Sequence, residues 1–261
     1  MPRSRARTLP TLLRRGAQGL GDLLLTVGVT LLLFVVWQGW WTDVQANAQA
    51  SDTLAQVRSD FAAAAPAAPS SPAPEQGSED DQAPQETPGE PLPEPDPATF
   101  EYGDALAVAY LPTIGEERVV KEGTEGDVLN QGVLGHYPDT AGPGQVGNFA
   151  LAGHRTTYGR PLWDLGEMAP GDPIVVETAA NYHVYRFEEL EVVDPGRWQV
   201  LAPVPGEPKA EPEEARMVLT ACHPRFSAQE RLIGYAVLDR SVPRSAGPPP
   251  ELGDARAVGE G

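Results

Sequence analysis

Arg216-Met217-Val218-Leu219-Thr220-Ala221-Cys222-His223-Pro224 is the stretch on which the fold turns. Side chains along a strand alternate, so Met217, Leu219 and Ala221 share one face, and Val218, Thr220 and Cys222 share the other. His223-Pro224 then stops regular pairing, because proline brings no N–H to a ladder. The thiol therefore stands at a strand end facing loops. That is a good position for an exposed nucleophile and a poor one for a merely structural cysteine.

Working outward, the same short β-like pattern recurs. Ala105–Tyr110, Arg118–Lys121, Asn148–Gly153, Ile174–Thr178, Tyr182–Val193 and Leu232–Leu238 all read as strands bounded by Gly, Pro or Asp turns. Helix signals are short, one around Glu125–Asn130 and one around Pro161–Leu165. Seven or eight strands with turns between them point to an all-β domain, a closed antiparallel barrel or a sandwich. Two more strand ends carry chemistry. His154 closes Asn148-Phe149-Ala150-Leu151-Ala152-Gly153-His154, with small same-face neighbours that leave room beside the imidazole, and Arg231 precedes Leu232–Leu238.

A thiol, an imidazole and a guanidinium suit acyl transfer. A thiolate is the nucleophile, and an imidazole can protonate the leaving amine and deprotonate the incoming one. A guanidinium can stabilise an oxyanion without losing its charge. Cys222 is the only cysteine in 261 residues, so no intrachain disulfide can form. With no paired Cys-x-x-Cys and no His-Glu-x-x-His, neither a metal nor a cofactor is expected. Glu188, Glu189 and Glu191 with Glu211, Glu213 and Glu214 offer calcium ligands on paper, but a solvated acidic face is the simpler reading. The net charge of −18 argues against nucleic acid, whose phosphates call for a basic surface.

The rest of the chain reads as an anchor and a tether. Residues 1–22 are a basic segment in which Arg3, Arg5, Arg7, Arg14 and Arg15 precede any acid. Leu23–Trp41 is a run of 19 uncharged residues, about 29 Å as a helix and close to the hydrocarbon thickness of a bilayer. The arginines on one side and Trp37, Trp40 and Trp41 at the other end place the amino terminus in the cytoplasm and residues from 42 onward outside. A cleaved signal peptide ending at Ala48-Gln49-Ala50 is the competing reading, but the apolar run is long and ends well before that site. Residues 42–99 are expected to be an extracytoplasmic Pro/Ala/Glu-rich linker. Its part from Ala62 to Ala98 holds ten prolines and eight acids with no Lys or Arg, an extended spacer reaching on the order of 100 Å. The domain is expected over 100–240 and a disordered tail over 241–261.

Several stretches resemble the sortase family. They are Ala152-Gly153-His154-Arg155-Thr156-Thr157-Tyr158-Gly159, then Leu219-Thr220-Ala221-Cys222-His223-Pro224-Arg225-Phe226-Ser227-Ala228, then Arg231-Leu232-Ile233. Gly135-His136-Tyr137-Pro138 and Pro143-Gly144-Gln145-Val146-Gly147-Asn148-Phe149 extend the likeness over most of Ala105 to Leu238. It is most similar to the class E housekeeping sortases of actinobacteria. The resemblance implies an eight-stranded sortase barrel and a site of Cys222, His154 and Arg231. It also implies cleavage of an LAXTG-like sorting signal after its Thr and transfer to a peptidoglycan amine of a Gram-positive wall. Tyr137 stands where the signal's alanine would be read, and Thr220 and Ala221 are expected to line the substrate site. Where the family has Thr-Leu-x-Thr-Cys, this chain has Val218 and Ala221 at the two threonine positions.

The other readings are a different cysteine hydrolase or transpeptidase and an inactive anchored binding module. An L,D-transpeptidase would carry Gly before the cysteine, where Ala221 stands. An intact Cys, His and Arg set argues against the module. Among the imidazoles, His183 reads as a surface or cross-strand residue and His136 as part of a turn. His223 points away from the thiol by alternation. Arg225, three residues past Cys222, is the rival to Arg231.

Overall fold

The computed structural model describes residues 9–64 and 100–253. Eight strands close a barrel in the order β1-β2-β3-β4-β7-β8-β6-β5. They are β1 (Ala105–Leu111), β2 (Glu116–Glu122), β3 (Leu134–His136), β4 (Gly147–Ala152), β5 (Pro173–Glu177), β6 (Asn181–Val193), β7 (Ala215–His223) and β8 (Glu230–Pro243). Seven lie where the apolar pattern places them. The eighth, β3, falls where Gly-His-Tyr-Pro reads as a turn. Ladders to β2 and β4 make it a strand, not any pattern of its own. The helix expected around Glu125–Asn130 is α2 (Gly126–Leu129), whereas Pro161–Leu165 is turn that leads into a 3-10 turn at Leu165–Glu167.

The pairing departs from the antiparallel expectation at two places, since β2–β3 and β4–β7 are parallel. The second decides the site, because it brings the carboxy-terminal ends of β4 and β7 to the same rim of the barrel. Phe149, Leu151, Met217, Leu219 and Ala221 fill the interior with Leu134, Leu162, Tyr185 and Phe187. On the outer face, Ala150, Val218 and Ile233 pack with Val193 and Val200, and Tyr137 and Tyr235 lie against them. Asn148 donates through Nδ2 to the Val200 and Ala202 carbonyls at 3.0 and 3.1 Å, holding the segment after β6 across this face.

The amino-terminal helix corrects the linker expected over 42–99. Helix α1 (Leu9–Ala64) continues 56 residues without a break, so 42–64 is helical. The physical reason lies in the composition. Thr42–Ala64 is rich in Ala and Gln with no Gly or Pro, and such a segment has high helix propensity. Ala46, Ala50, Leu54, Val57 and Phe61 recur at spacings of three and four, which is one face of a helix. That face packs on the outside of the barrel. Val57 and Phe61 bury themselves among Val108, Tyr110, Val119, Val175, Tyr182 and Val184. At ~1.5–3 kcal/mol for each large apolar side chain buried, this contact is substantial. From Leu23 to Trp41, by contrast, the side chains of α1 pack on nothing in the chain, and the helix is long and apolar enough to cross a membrane. Residues 65–99, the Pro-rich remainder of the linker, lie outside the described residues.

The carboxy-terminal boundary moves too. β8 runs to Pro243, and the expected disordered tail is packed as far as Gly253. Leu252 is buried in the same cluster as Val57 and Phe61. Glu251 accepts from Arg240 at 2.7 Å and from Arg186 at 2.6 Å. Residues 254–261 lie outside the described residues.

Candidate active site

Cys222 and Arg231 are directly opposed across the antiparallel β7–β8 ladder. Directly opposed residues share a face of the sheet, with Cβ atoms roughly 4.5–5.5 Å apart. Both belong to the outward-facing set, with Val218, Ile233 and Tyr235 behind them, and both are half-buried. His154 enters from β4. In the parallel β4–β7 register Ala152 is opposite Thr220, so His154 and Cys222 each follow two residues further on, at the same rim. The Gly153 N–H still donates to the Thr220 carbonyl at 3.1 Å, keeping the two chains in step to that point. Three strand ends thus bring a thiol, an imidazole and a guanidinium to one rim.

The imidazole is held on two sides. His154 Nε2 lies 2.9 Å from Asn130 Oδ1. A carbonyl oxygen can only accept, so Nε2 carries the hydrogen and Nδ1 is left to take up and release a proton. The ring also lies tilted against Tyr158, with centroids 5.1 Å apart and 30° between the planes. Burial pushes the His154 pKa down from its ordinary value, which favours the neutral ring. Asn130 caps the end of α2 and carries no sequence signal of its own, since its role depends on a contact 24 residues away.

Arg231 donates through Nη1 to the Ala228 and Glu230 carbonyls, both at 3.0 Å, which folds its side chain over the β7–β8 turn beside the thiol. Its rival is committed elsewhere. Arg225 donates to the Trp163 carbonyl at 3.0 Å and to Asp164 at 2.9 Å, and its guanidinium lies 4.4 Å over the Trp163 ring. A further arginine sits beneath the thiol. Arg155 is buried and donates through Nη1 to His223 Nδ1 at 2.8 Å and to the Cys222 carbonyl at 3.3 Å. Burial first, and then the nearby Arg225 charge, lower its pKa. His223 is therefore a fixed acceptor for Arg155. Arg155 stands beside His154 in the chain, but nothing in the local pattern points to this contact.

Of the three expected substrate contacts, two come together and one does not. Tyr137 OH lies 3.0 Å from Thr220 Oγ1 on the outer face, two residues behind Cys222. Ala221 turns its methyl into the barrel interior and is 3% exposed. Its side chain is thus removed from any substrate on the outer face, as alternation along β7 requires.

The remaining imidazoles are structural. His136 is buried rather than in a turn, with Nδ1 2.6 Å from Glu122 Oε2 and Nε2 2.9 Å from Thr140 Oγ1. His183 is cross-strand but buried, 2.8 Å from Ser241 Oγ. Several of the acids that offered calcium ligands are engaged by arginine. Glu188 and Glu214 flank Arg216 at 3.0 and 2.8 Å, and Glu191 faces Arg197 at 3.5 Å.

The loop after His154 is tied to α1. Tyr158, Gly159 and Arg160 all hold left-handed φ, 52°, 79° and 51°. Such a run is unfavourable for Tyr and Arg and needs outside support. Asp43 supplies it, accepting from the Gly159 N–H at 3.1 Å and pairing with Arg160 at 3.2 Å. Arg118 donates to the Gly159 carbonyl at 3.1 Å and to Asn47 at 3.2 Å. The approach is close enough to require glycine. A Cβ at Gly132 would lie 3.0 Å from the Ala46 carbonyl oxygen, and one at Gly159 would lie 2.6 Å from Asn47 Oδ1.

Comparison with known proteins meets this geometry. The Sortase domain family profile matches residues 110–239. The chain is 33% identical over 243 residues to sortase SrtE1 of Streptomyces coelicolor, covering 90% of this chain and 61% of that relative's length. Among solved structures, it is similar to the SrtA sortase of Actinomyces oris, with 35% identity and a TM-score of 0.57, covering 59% of this chain and 90% of that one. Sortase E1 of Streptomyces coelicolor, solved with a tripeptide in its active site, matches with 35% identity and a TM-score of 0.55 over 59% of this chain and 99% of that one. By profile, by relatives and by its closed eight-stranded barrel, the chain belongs to the sortase family.

Proposed function

We propose that the chain is a membrane-anchored cysteine transpeptidase of the class E type, working through Cys222, His154 and Arg231. The observation that carries the reading is the rim itself. Cys222 and Arg231 are opposed on the outer face of β7–β8, and His154 lies two residues past the end of the parallel neighbour β4. The Cys222 thiol passes its proton to His154 Nδ1, and the resulting thiolate attacks the Thr carbonyl of an LAXTG-like sorting signal. Arg231 stabilises the oxyanion that forms. His154 gives its proton to the departing glycine amine, leaving a thioacyl-enzyme on Cys222. An amine of a peptidoglycan precursor then loses a proton to His154 and attacks the thioester, which releases the thiolate. Tyr137 and Thr220 lie behind the thiol on the same face, where the signal's alanine would rest. The tripeptide in the sortase E1 active site supports a peptide substrate of this size class.

The five arginines before the apolar run support a cytoplasmic amino terminus and a barrel on the outer side. A reporter fused after Gly261 should be active only outside the membrane, and cytoplasmic activity overturns this orientation.

The full chain in detergent, given a quenched LAXTG-type peptide with and without an added amine, tests the chemistry by mass spectrometry. Cleavage after Thr with amine-dependent ligation, both lost in Cys222→Ala, is the expected result. Turnover by Cys222→Ala near that of the wild type would refute the mechanism.

A further inference from the structure

The contacts between α1 and the barrel run in order along the helix, and the order fixes which end of the barrel faces the bilayer. Asp43, two residues beyond Trp41, holds Gly159 and Arg160 in the loop that follows His154. One turn on, Ala46 and Asn47 meet Gly132, Arg118 and Gly159. At the far end the Phe61 carbonyl accepts from Arg244, whose Nη1 also reaches the Ala179 carbonyl. Asp43 and Phe61 are about 27 Å apart along the axis, by the rise of an α-helix. The end bearing His154 and Cys222 is therefore the end next to the apolar run, and the Ala179–Arg244 end is the far one.

The rim on that near end has an unusual surface. Arg160 lies 5.2 Å over Trp163, and Phe226 meets the same ring edge-on at 5.7 Å. Phe226 is 81% exposed, in the loop just past Cys222. Asp43 neutralises Arg160 and Asp164 neutralises Arg225. Most of this strongly acidic chain would be repelled by an anionic bilayer, but this rim carries balanced charge and an exposed aromatic ring. Aromatic and arginine side chains are those that favour the headgroup zone.

We propose that α1 clamps the barrel with its catalytic rim against the bilayer, Arg160, Trp163 and Phe226 contacting the lipid interface beside Trp40 and Trp41. This rests on the reading of Leu23–Trp41 as a membrane span and of the rim as the sortase site. The Pro-rich segment comes after the clamp, so its length does not set the height of the domain, contrary to the spacer role expected from composition. A site at the surface takes a sorting signal and an amine acceptor while both are still held in the membrane.

The test uses the full chain carrying Cys222→Ala, so that a single introduced thiol can be labelled and no turnover is needed. Ala228→Cys reports on the rim and Ala180→Cys on the opposite end, both at exposed positions. Each is labelled with a nitrobenzoxadiazole dye and reconstituted into phosphatidylcholine–phosphatidylglycerol vesicles holding a headgroup-spin-labelled lipid. Quenching at 228 several times stronger than at 180 is expected, and adding Phe226→Ser should weaken it. Equal quenching at the two positions, or none at 228, overturns the proposal whatever the enzyme's activity. Failure of the protein to float with the vesicles overturns the anchor reading, and the rim contact with it.

Discussion

Replacing Asp43 by alanine removes a carboxylate that ties α1 to the loop that follows His154. Asp43 accepts from the Gly159 N–H at 3.1 Å, and a hydrogen bond to a charged acceptor contributes about 1.5–3 kcal/mol. The ion pair to Arg160, whose side chain is 46% exposed, adds at most ~1 kcal/mol after screening. The loop it restrains holds Tyr158 and Arg160 at left-handed φ, an arrangement costing of order 1–3 kcal/mol at each. Loss of the carboxylate is therefore comparable to the strain it offsets, and the loop should relax. Tyr158 packs against the His154 ring, so relaxation displaces the imidazole. We expect kcat/KM on the peptide to fall ~10- to 100-fold, at 1.36 kcal/mol for each factor of ten, with kcat carrying most of it. Asp43→Asn keeps an acceptor for Gly159 but loses the charge, and should fall between the two. Steady-state kinetics of full-length protein in nanodiscs, with circular dichroism to verify folding, make the measurement. A folded Asp43→Ala variant with wild-type kcat/KM would refute the argument that α1 positions the His154 loop.

Arg231→Lys should lower kcat on the order of 100-fold, because a point charge does not replace a planar guanidinium at an oxyanion. If Arg225→Ala proves the more damaging change in the same assay, the roles given to the two arginines are exchanged. Asn130→Ala should lower kcat and move the His154 limb of the pH–rate profile to lower pH, since the imidazolium loses an acceptor. Asn130→Asp should move that limb upward, and a limb unmoved in both variants rules out Asn130 as the group that orients the ring. His183 gives a stability prediction. Burial pushes its pKa from 6.5 to about 4. Its imidazole is therefore neutral in the native state while the unfolded chain takes up a proton below pH 6.5. Stability is full above that pH and is lost as pH falls toward 4, by about 3 kcal/mol. Chemical denaturation across this range should show that His183→Gln flattens the slope; an unchanged slope shows that another group titrates.

By itself the sequence determined the elements with strong local patterns. Alternation marked seven strands, an uncharged apolar run marked the part of α1 long and apolar enough to cross a membrane, and the one cysteine fell at a strand end. The side-chain faces of β7 followed from alternation alone, including the inward turn of Ala221 that the family likeness had obscured. Tertiary structure decided whatever depends on partners distant in the chain. β3 is three residues long and exists only as a rung between β2 and β4. The parallel pairing of β4 with β7 brings His154 and Cys222 to the same rim, and no local signal encodes which strands become neighbours. Asn130 and Arg155 acquire their roles through contacts that no spacing announces. Residues 42–64 lie between these cases. Their helical stripe of Ala46, Ala50, Leu54, Val57 and Phe61 was legible, but two of its five members are alanine, too small to stand out from the Ala- and Pro-rich sequence beyond it. Only the barrel surface that Val57 and Phe61 cover distinguishes a clamp from a tether, because a helix of this composition is stabilised chiefly by what it packs against.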